Sequence, residues 1–324
     1  MENMLEQSPK ASQLLLSEEL ISQWVEQMDV SKDSKRTLAA NIKAFTNWAG
    51  ERAKDPDRQT ILDFRQYLIE DKKLKPNTVK NYISTLRLLF AWMEKKSRKE
   101  GYVPFQSPAE DIKTPKLPKG HARQPLSVWQ IQQILELYEG KRDELSLRNK
   151  AMIALLACTG LRANSLRTVR IQDLKSVNGQ MVLYYLGKGR IDYDQYVKIP
   201  KQLAVLIKEY LQERFGDQPL DPNDWLFVSK APNRKPNQLT QHAISLVVKN
   251  AMKSVGLDDS RYTCHSLRHS AATNNVILGG SLESTMALLG HANIAQTMTY
   301  IHDLERIQNN SEQRIADAVL GKIE

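Results

Sequence analysis

The segment from Tyr262 to Asp303 concentrates side chains that handle protons and anions, and it holds four of the chain's six histidines. It reads Cys264-His265-Ser266-Leu267-Arg268-His269-Ser270, then Leu289-Gly290-His291, then Thr297-Met298-Thr299-Tyr300-Ile301-His302. His265 and Arg268, three residues apart at a predicted helix start, share a face and can address one anion. His291 precedes Tyr300 by nine residues. The set suits a phosphodiester as common target, with Tyr300 as nucleophile.

Displacement at phosphorus builds negative charge on the equatorial and leaving oxygens, so the site needs fixed cations. Arginine supplies them well, because its planar fork grips two oxygens and keeps its proton. Arg162 and Arg268 fit that role, with His265 and His291 as further donors. A phenol with an ordinary pKa of about 10 needs a nearby base or positive charge to attack at neutral pH. The departing 5′ oxygen needs a proton, which Lys188 can give if its segment folds over the scissile bond. A zinc site on Cys264, His265, His269 and His291 is the competing reading, disfavoured by the absence of Cys-rich spacing and by the neighbouring arginines.

The elements that must position these groups follow from periodicity. In the first part, Ser17 before Glu18-Glu19 predicts a helix start, with Leu20, Ile21, Trp24, Val25 and Met28 on its apolar face. A second helix is predicted from about Ser34, and a third from about Thr60 with a Thr60/Asp63 capping box. A fourth has Pro76 in its first turn and Val79, Tyr82, Ile83, Leu86, Phe90 and Met93 facing the core. Its other face carries Lys80, Arg87, Lys95 and Lys96, suited to phosphate contacts. These helices define a domain over 17–97, after a tail at 1–16. Residues 98–124, with four prolines and Lys113, Lys116 and Lys119, read as a basic extended linker.

In the second part, Ser127 opens a helix and an apolar helix from Asn149 to Leu156 runs into Thr159-Gly160-Leu161-Arg162, where the glycine ends it. Strands are predicted at 180–186 and 191–199, joined by a tight Gly187-Lys188-Gly189-Arg190 turn with Lys188 at the tip. Helices at 202–214 and 240–253 flank a short strand at 225–228. An amphipathic tail with Ile307, Ile315, Ala318, Val319 and Ile323 ends the chain.

With 324 residues and 41% hydrophobic side chains, the chain is long enough for two cores. It has no run of eighteen apolar residues and no signal-peptide pattern at its start, so a cytoplasmic protein is expected. Two cysteines, Cys158 and Cys264, fit a reducing compartment and read as small buried residues. The net charge of +9 permits a nucleic acid partner.

Thr159-Gly160-Leu161-Arg162, Gly187-Lys188-Gly189, His265 to His269, Leu289-Gly290-His291 and Thr297 to Tyr300, in this order and spacing, resemble the tyrosine recombinases of the phage-integrase and Xer-like family. Pro76-Asn77-Thr78-Val79 extends the likeness to that family's core-binding domain. The resemblance implies a mainly α fold with a small β-sheet. A helical, SAM-like core-binding domain and a mixed α/β catalytic domain over 125–303 would close on DNA as a C-shaped clamp, with 304–324 docking on a neighbouring subunit. It implies that Arg162, Lys188, His265, Arg268 and His291 are catalytic and that Tyr300 forms a 3′-phosphotyrosine, without metal or cofactor. The implied partners are double-stranded DNA with inverted-repeat core sites, a homotetramer on two such sites, and an accessory DNA-bending or directionality protein. One departure stands out: where many relatives carry an acidic residue after the first arginine motif, this chain reads Asn164-Ser165-Leu166. It also lacks the long N-terminal extension of arm-site-binding integrases, so a recombinase needing only core sites is expected. A topoisomerase-like enzyme and a non-cleaving DNA-binding protein are the alternative readings.

Overall fold

The computed structural model describes residues 16–100, 106–115, 123–187, 192–230, 237–290 and 311–321. The chain divides into two compact units, Met1–Lys119 and Gly120–Glu324.

Among the described residues the first unit has four helices, α1 (Glu18–Gln27), α2 (Lys32–Gly50), α3 (Arg58–Glu70) and α4 (Pro76–Glu100). Caps set their starts. Ser17, Ser31 and Asp57 each accept a hydrogen bond from a first-turn backbone N–H, satisfying a donor that the helix leaves orphaned. Helix α3 therefore begins before the predicted Thr60. Asp57 caps the N–H of Thr60, and Asp63 instead pairs with Lys54 and Gln59, so the expected capping box does not form. Trp24, Phe45, Phe64 and Phe90 are buried at the centre. At about 1.5–3 kcal/mol for each large apolar side chain removed from water, they hold helices too short to stand alone. Between α2 and α4 a buried Asn41 amide donates to Thr85 Oγ1 at 3.0 Å. Helix α1 is tied to α4 by Trp92 donating to Gln27 and Lys96 donating to Gln23.

Part of the stretch expected to be extended linker packs instead. Ala109 and Ile112 are fully buried in the first unit's core, and Arg65 donates to the Lys113 carbonyl at 2.8 Å. The two apolar residues, three apart beside charged neighbours, form one turn whose inner side the four-helix core covers.

The second unit begins with α5 (Val128–Glu136), where Ser127 and Gln130 form a reciprocal capping box. Helix α6 (Glu144–Thr159) starts five residues before the predicted Asn149, at an Asp143 cap, and is mostly buried from Leu147 on. A short α7 (Ala163–Leu166) and a 3₁₀ turn at Ile171–Asp173 lead into an antiparallel sheet of β1 (Leu174–Val177), β2 (Gln180–Tyr185) and β3 (Gln195–Lys198), in that order. Helix α8 (Lys201–Phe215), a small β4 (Val228–Ser229) and β5 (Asn237–Gln238) pair, α9 (Gln241–Ser254), α10 (Cys264–Ile277), α11 (Leu282–Leu289) and α12 (Ser311–Leu320) follow among the described residues. The core is built on α6, which packs against α8 on one side and α10 on another.

Three expectations change here. Strand β1 was not anticipated, although Asn178-Gly179, both at positive φ (51° and 76°), makes the two-residue turn that joins it to β2. The β2–β3 connection is not a tight hairpin: Tyr185 pairs with Gln195, leaving nine residues, 186–194, between the strands. The 225–228 strand shifts to 228–229, and Trp225 contributes only an isolated bridge to Arg170.

Candidate active site

Helix α6 ends at Gly160, whose left-handed backbone (φ 64°) caps it by donating to the Leu156 carbonyl at 3.0 Å. A Cβ at this position would lie 2.7 Å from Leu289 Cδ2 and 3.3 Å from Ala271 Cβ. Conformation and packing both require glycine. The chain then turns through buried Leu161 to Arg162, which occupies the N-cap position of α7 and is half-buried.

Helix α10 presents the histidine-arginine motif. Its start is fixed by Ser266, whose Oγ accepts from the Thr263 N–H at 3.0 Å and donates to the Arg261 carbonyl at 3.1 Å. His265 lies exposed in the first turn, where the helix dipole favours an anion. Its ring meets that of buried His269 edge-on, with centroids 5.2 Å apart. Arg268, one turn on, is only 4% exposed. Nη1 donates to the Gly160 carbonyl at 2.6 Å and Nη2 to the Leu289 carbonyl at 2.7 Å.

Those carbonyls end α6 and α11, where a cation is also favoured. Hydrogen bonds of this charged kind contribute about 1.5–3 kcal/mol each. Arg268, expected only as a phosphate clamp, therefore also braces two chain turns. One leads in two residues to Arg162 and the other in two residues to His291.

The sheet supplies the remaining side. Ser165, buried in α7, donates from Oγ to the Leu186 carbonyl at 2.9 Å. Gly290, the left-handed cap of α11 at φ 59°, would bring a Cβ within 3.1 Å of the Tyr185 hydroxyl and 3.5 Å of Gln195 Oε1. The backbone of four of the five motifs is thus drawn together: the ends of α6 and α11, the start of α10, and the end of β2 where Gly187 begins the lysine motif. Ser165, Tyr185 and Gln195 were not singled out as site residues. For Ser165 the signal was the family resemblance, which leads one to expect an acidic residue in the stretch that here reads Asn164-Ser165-Leu166. Lys188, His291 and Tyr300 lie outside the described residues.

Burial pushes the Cys264 thiol up to about 12, against a hydrogen bond with Ser245 that lowers it. At neutral pH it is a neutral thiol and a poor metal ligand. Among the described residues no three His, Cys, Asp or Glu side chains are grouped to hold a metal ion. Cys264 is half-buried, and Cys158, expected to be buried, is exposed.

On α4, Lys80 and Arg87 are half-buried and Lys95 is exposed. Lys80, Arg87 and Lys95 share a stripe at helical spacing. Lys96 does not join it: besides donating to Gln23, its ammonium sits 5.1 Å from the Trp92 ring centroid. Lys113 is exposed beside Ile112. Lys116 and Lys119 lie outside the described residues. No helix among the described residues is long and apolar enough to cross a membrane.

A helical first unit, and a second unit that gathers an arginine-bearing turn, a histidine-arginine helix and the strand end that precedes the lysine motif, fit a class of proteins that transfer DNA strands. The profile of the phage integrase family matches residues 125–306, and that of the phage integrase N-terminal SAM-like domain matches residues 20–100. The chain belongs to the phage integrase family, the tyrosine recombinases, enzymes that cleave and rejoin DNA. It is 29% identical over 248 residues to tyrosine recombinase XerD of Listeria monocytogenes, covering 76% of this chain and 78% of that one. It is 27% identical over 291 residues to tyrosine recombinase XerA of Pyrococcus horikoshii, covering 90% and 91%. Among solved structures, XerH site-specific recombinase bound to its difH substrate in a pre-cleavage complex matches with a TM-score of 0.63 at 25% identity, over 85% of this chain and 79% of that one.

Proposed function

We propose that Tyr300 attacks a DNA phosphodiester, forming a bond from its phenolic oxygen to phosphorus as the bond to the 5′ oxygen breaks. The products are a 3′-phosphotyrosine and a free 5′-hydroxyl. A 5′-hydroxyl from a partner strand then attacks the phosphotyrosine, releases the tyrosine and rejoins the DNA, so bond energy is conserved and no cofactor is consumed. Arg162 and Arg268 neutralise the equatorial oxygens, and His265 and His291 donate further hydrogen bonds. Lys188 gives a proton to the leaving 5′ oxygen.

The observation that carries this reading is Arg268 bonded at once to the carbonyls of Gly160 and Leu289. That joins the chain turns leading to two other motifs at the helix that bears His265. The ligand is duplex DNA, a reading supported by the XerH site-specific recombinase solved bound to difH substrate. The stripe of Lys80, Arg87 and Lys95, with Lys96, Lys113, Lys116 and Lys119, tracks its phosphates, and the two units together engage the duplex. Four protomers on two inverted-repeat sites exchange strands in integration, excision or dimer resolution. An accessory DNA-bending or directionality protein is a further candidate partner. Helix α12 suits subunit docking, since Ile315, Val319 and Leu320 are all exposed on it.

The test is to incubate the protein with DNA flanking its own gene, denature in detergent, and look for protein linked to a 3′ end. The unmutated chain should give the adduct, and Tyr300→Phe should bind DNA without forming it. An adduct that survives Tyr300→Phe rejects Tyr300 as nucleophile.

A further inference from the structure

We infer that Ser165 is a positioning residue for the reaction: its hydroxyl holds the start of the 186–194 segment, and so sets where Lys188 is delivered relative to Arg162. The proposal rests on the reading of Lys188 as the acid for the leaving oxygen.

Ser165 lies three residues after Arg162, in the four-residue α7 whose N-cap position is Arg162 itself. It is 4% exposed, and its Oγ donates to the Leu186 carbonyl at 2.9 Å. Leu186 is the first residue beyond the last β2–β3 pair, Tyr185 with Gln195. Its carbonyl therefore has no partner in the ladder between those strands. One hydrogen bond from the element that carries Arg162 fixes the point at which that segment departs, two residues before Lys188.

The residue type matters. A hydroxyl can donate to a carbonyl, whereas an ionised carboxylate accepts only. An ionised acidic residue at this position, which the family resemblance leads one to expect, would have no proton to donate to the Leu186 carbonyl. A general acid contributes about 10²–10⁴-fold, and misplacement by about 1 Å costs on the order of 10²-fold. Loss of the tether should therefore slow cleavage by roughly 10- to 100-fold while leaving DNA affinity unchanged.

The experiment compares single-turnover cleavage of ordinary DNA with cleavage of DNA bearing a sulfur in place of the bridging 5′ oxygen. A thiolate departs without a proton, so a defect in proton delivery disappears on that substrate. Ser165→Ala should be slow on ordinary DNA and within about threefold of the unmutated chain on the sulfur-bridged substrate, in parallel with Lys188→Ala. Ser165→Thr, which keeps the hydroxyl, should restore the rate. Equal slowing of Ser165→Ala on both substrates, with Lys188→Ala rescued, overturns the proposal. If Lys188→Ala is not rescued, the acid assignment fails and the tether is judged separately by trypsin. Faster cleavage after Lys188 and Arg190 in Ser165→Ala at an unchanged melting temperature supports it, and an unchanged rate overturns it.

Discussion

Gly160→Ala tests whether the site is built on close approach of its helix ends. At φ 64° an alanine pays the left-handed penalty of about 1–2 kcal/mol. Its Cβ would also stand 2.7 Å from Leu289 Cδ2 and 3.3 Å from Ala271 Cβ. Leu289 cannot swing away freely, because it is fully buried and its carbonyl is held by Arg268. Overpacking of this kind costs about 1–3 kcal/mol, for a total of roughly 2–5 kcal/mol. Gly179→Ala is the internal control: its φ is 76°, yet nothing lies within 4 Å of its added Cβ, so it carries the backbone penalty alone. For a unit of this size each kcal/mol shifts the melting temperature by about 2–4 °C. Gly160→Ala should therefore melt roughly 4–20 °C lower, against about 2–8 °C for Gly179→Ala. Below melting, only Gly160→Ala should also lose DNA cleavage, since it displaces the carbonyl that Arg268 grips beside Arg162. Scanning calorimetry and single-turnover cleavage decide it. Equal shifts in the two variants, with cleavage intact, would refute the claim that close packing at Gly160 sets the site.

Two other outcomes follow from the charge and the tail. Replacing Lys80, Arg87 and Lys95 by Gln should flatten the dependence of log affinity on log salt by roughly 2–3, at about 0.9 for each phosphate no longer neutralised; an unchanged slope in a salt titration removes the α4 stripe from the interface. Truncation after Asp303 deletes α12 with its exposed Ile315, Val319 and Leu320. It should leave binding to a single site intact and abolish the paired-site complex on native gels, and undiminished pairing would end the docking role.

What the sequence made legible, and what it hid, divides along one physical line. Helix starts announce themselves locally, so Ser17, Pro76 and Ser127 were readable from a few neighbours. The early start of α6 was missed because Asp143 caps polar residues that precede the apolar run. Strand β1 was signalled by Asn178-Gly179, but its burial pattern is mostly exposed and offers no apolar alternation to recognise. The motifs suggested a chemistry for Arg162, His265 and Arg268, because residue types and order carry that information. They did not show that Arg268 is buried and bound to two carbonyls, because its partners are backbone atoms 108 and 21 residues away. Any residue at positions 160 and 289 would present a carbonyl, so no pattern in the side chains could disclose those bonds. Ser165 is the intermediate case: its own partner is also a backbone carbonyl, yet the family resemblance, which leads one to expect an acidic residue in Asn164-Ser165-Leu166, marked the position. A buried hydroxyl has to find a hydrogen-bond partner, and unlike an ionised carboxylate it can donate to a carbonyl. At Ser165 that partner is the Leu186 carbonyl, which ties the α7 turn bearing Arg162 to the strand end that leads to Lys188.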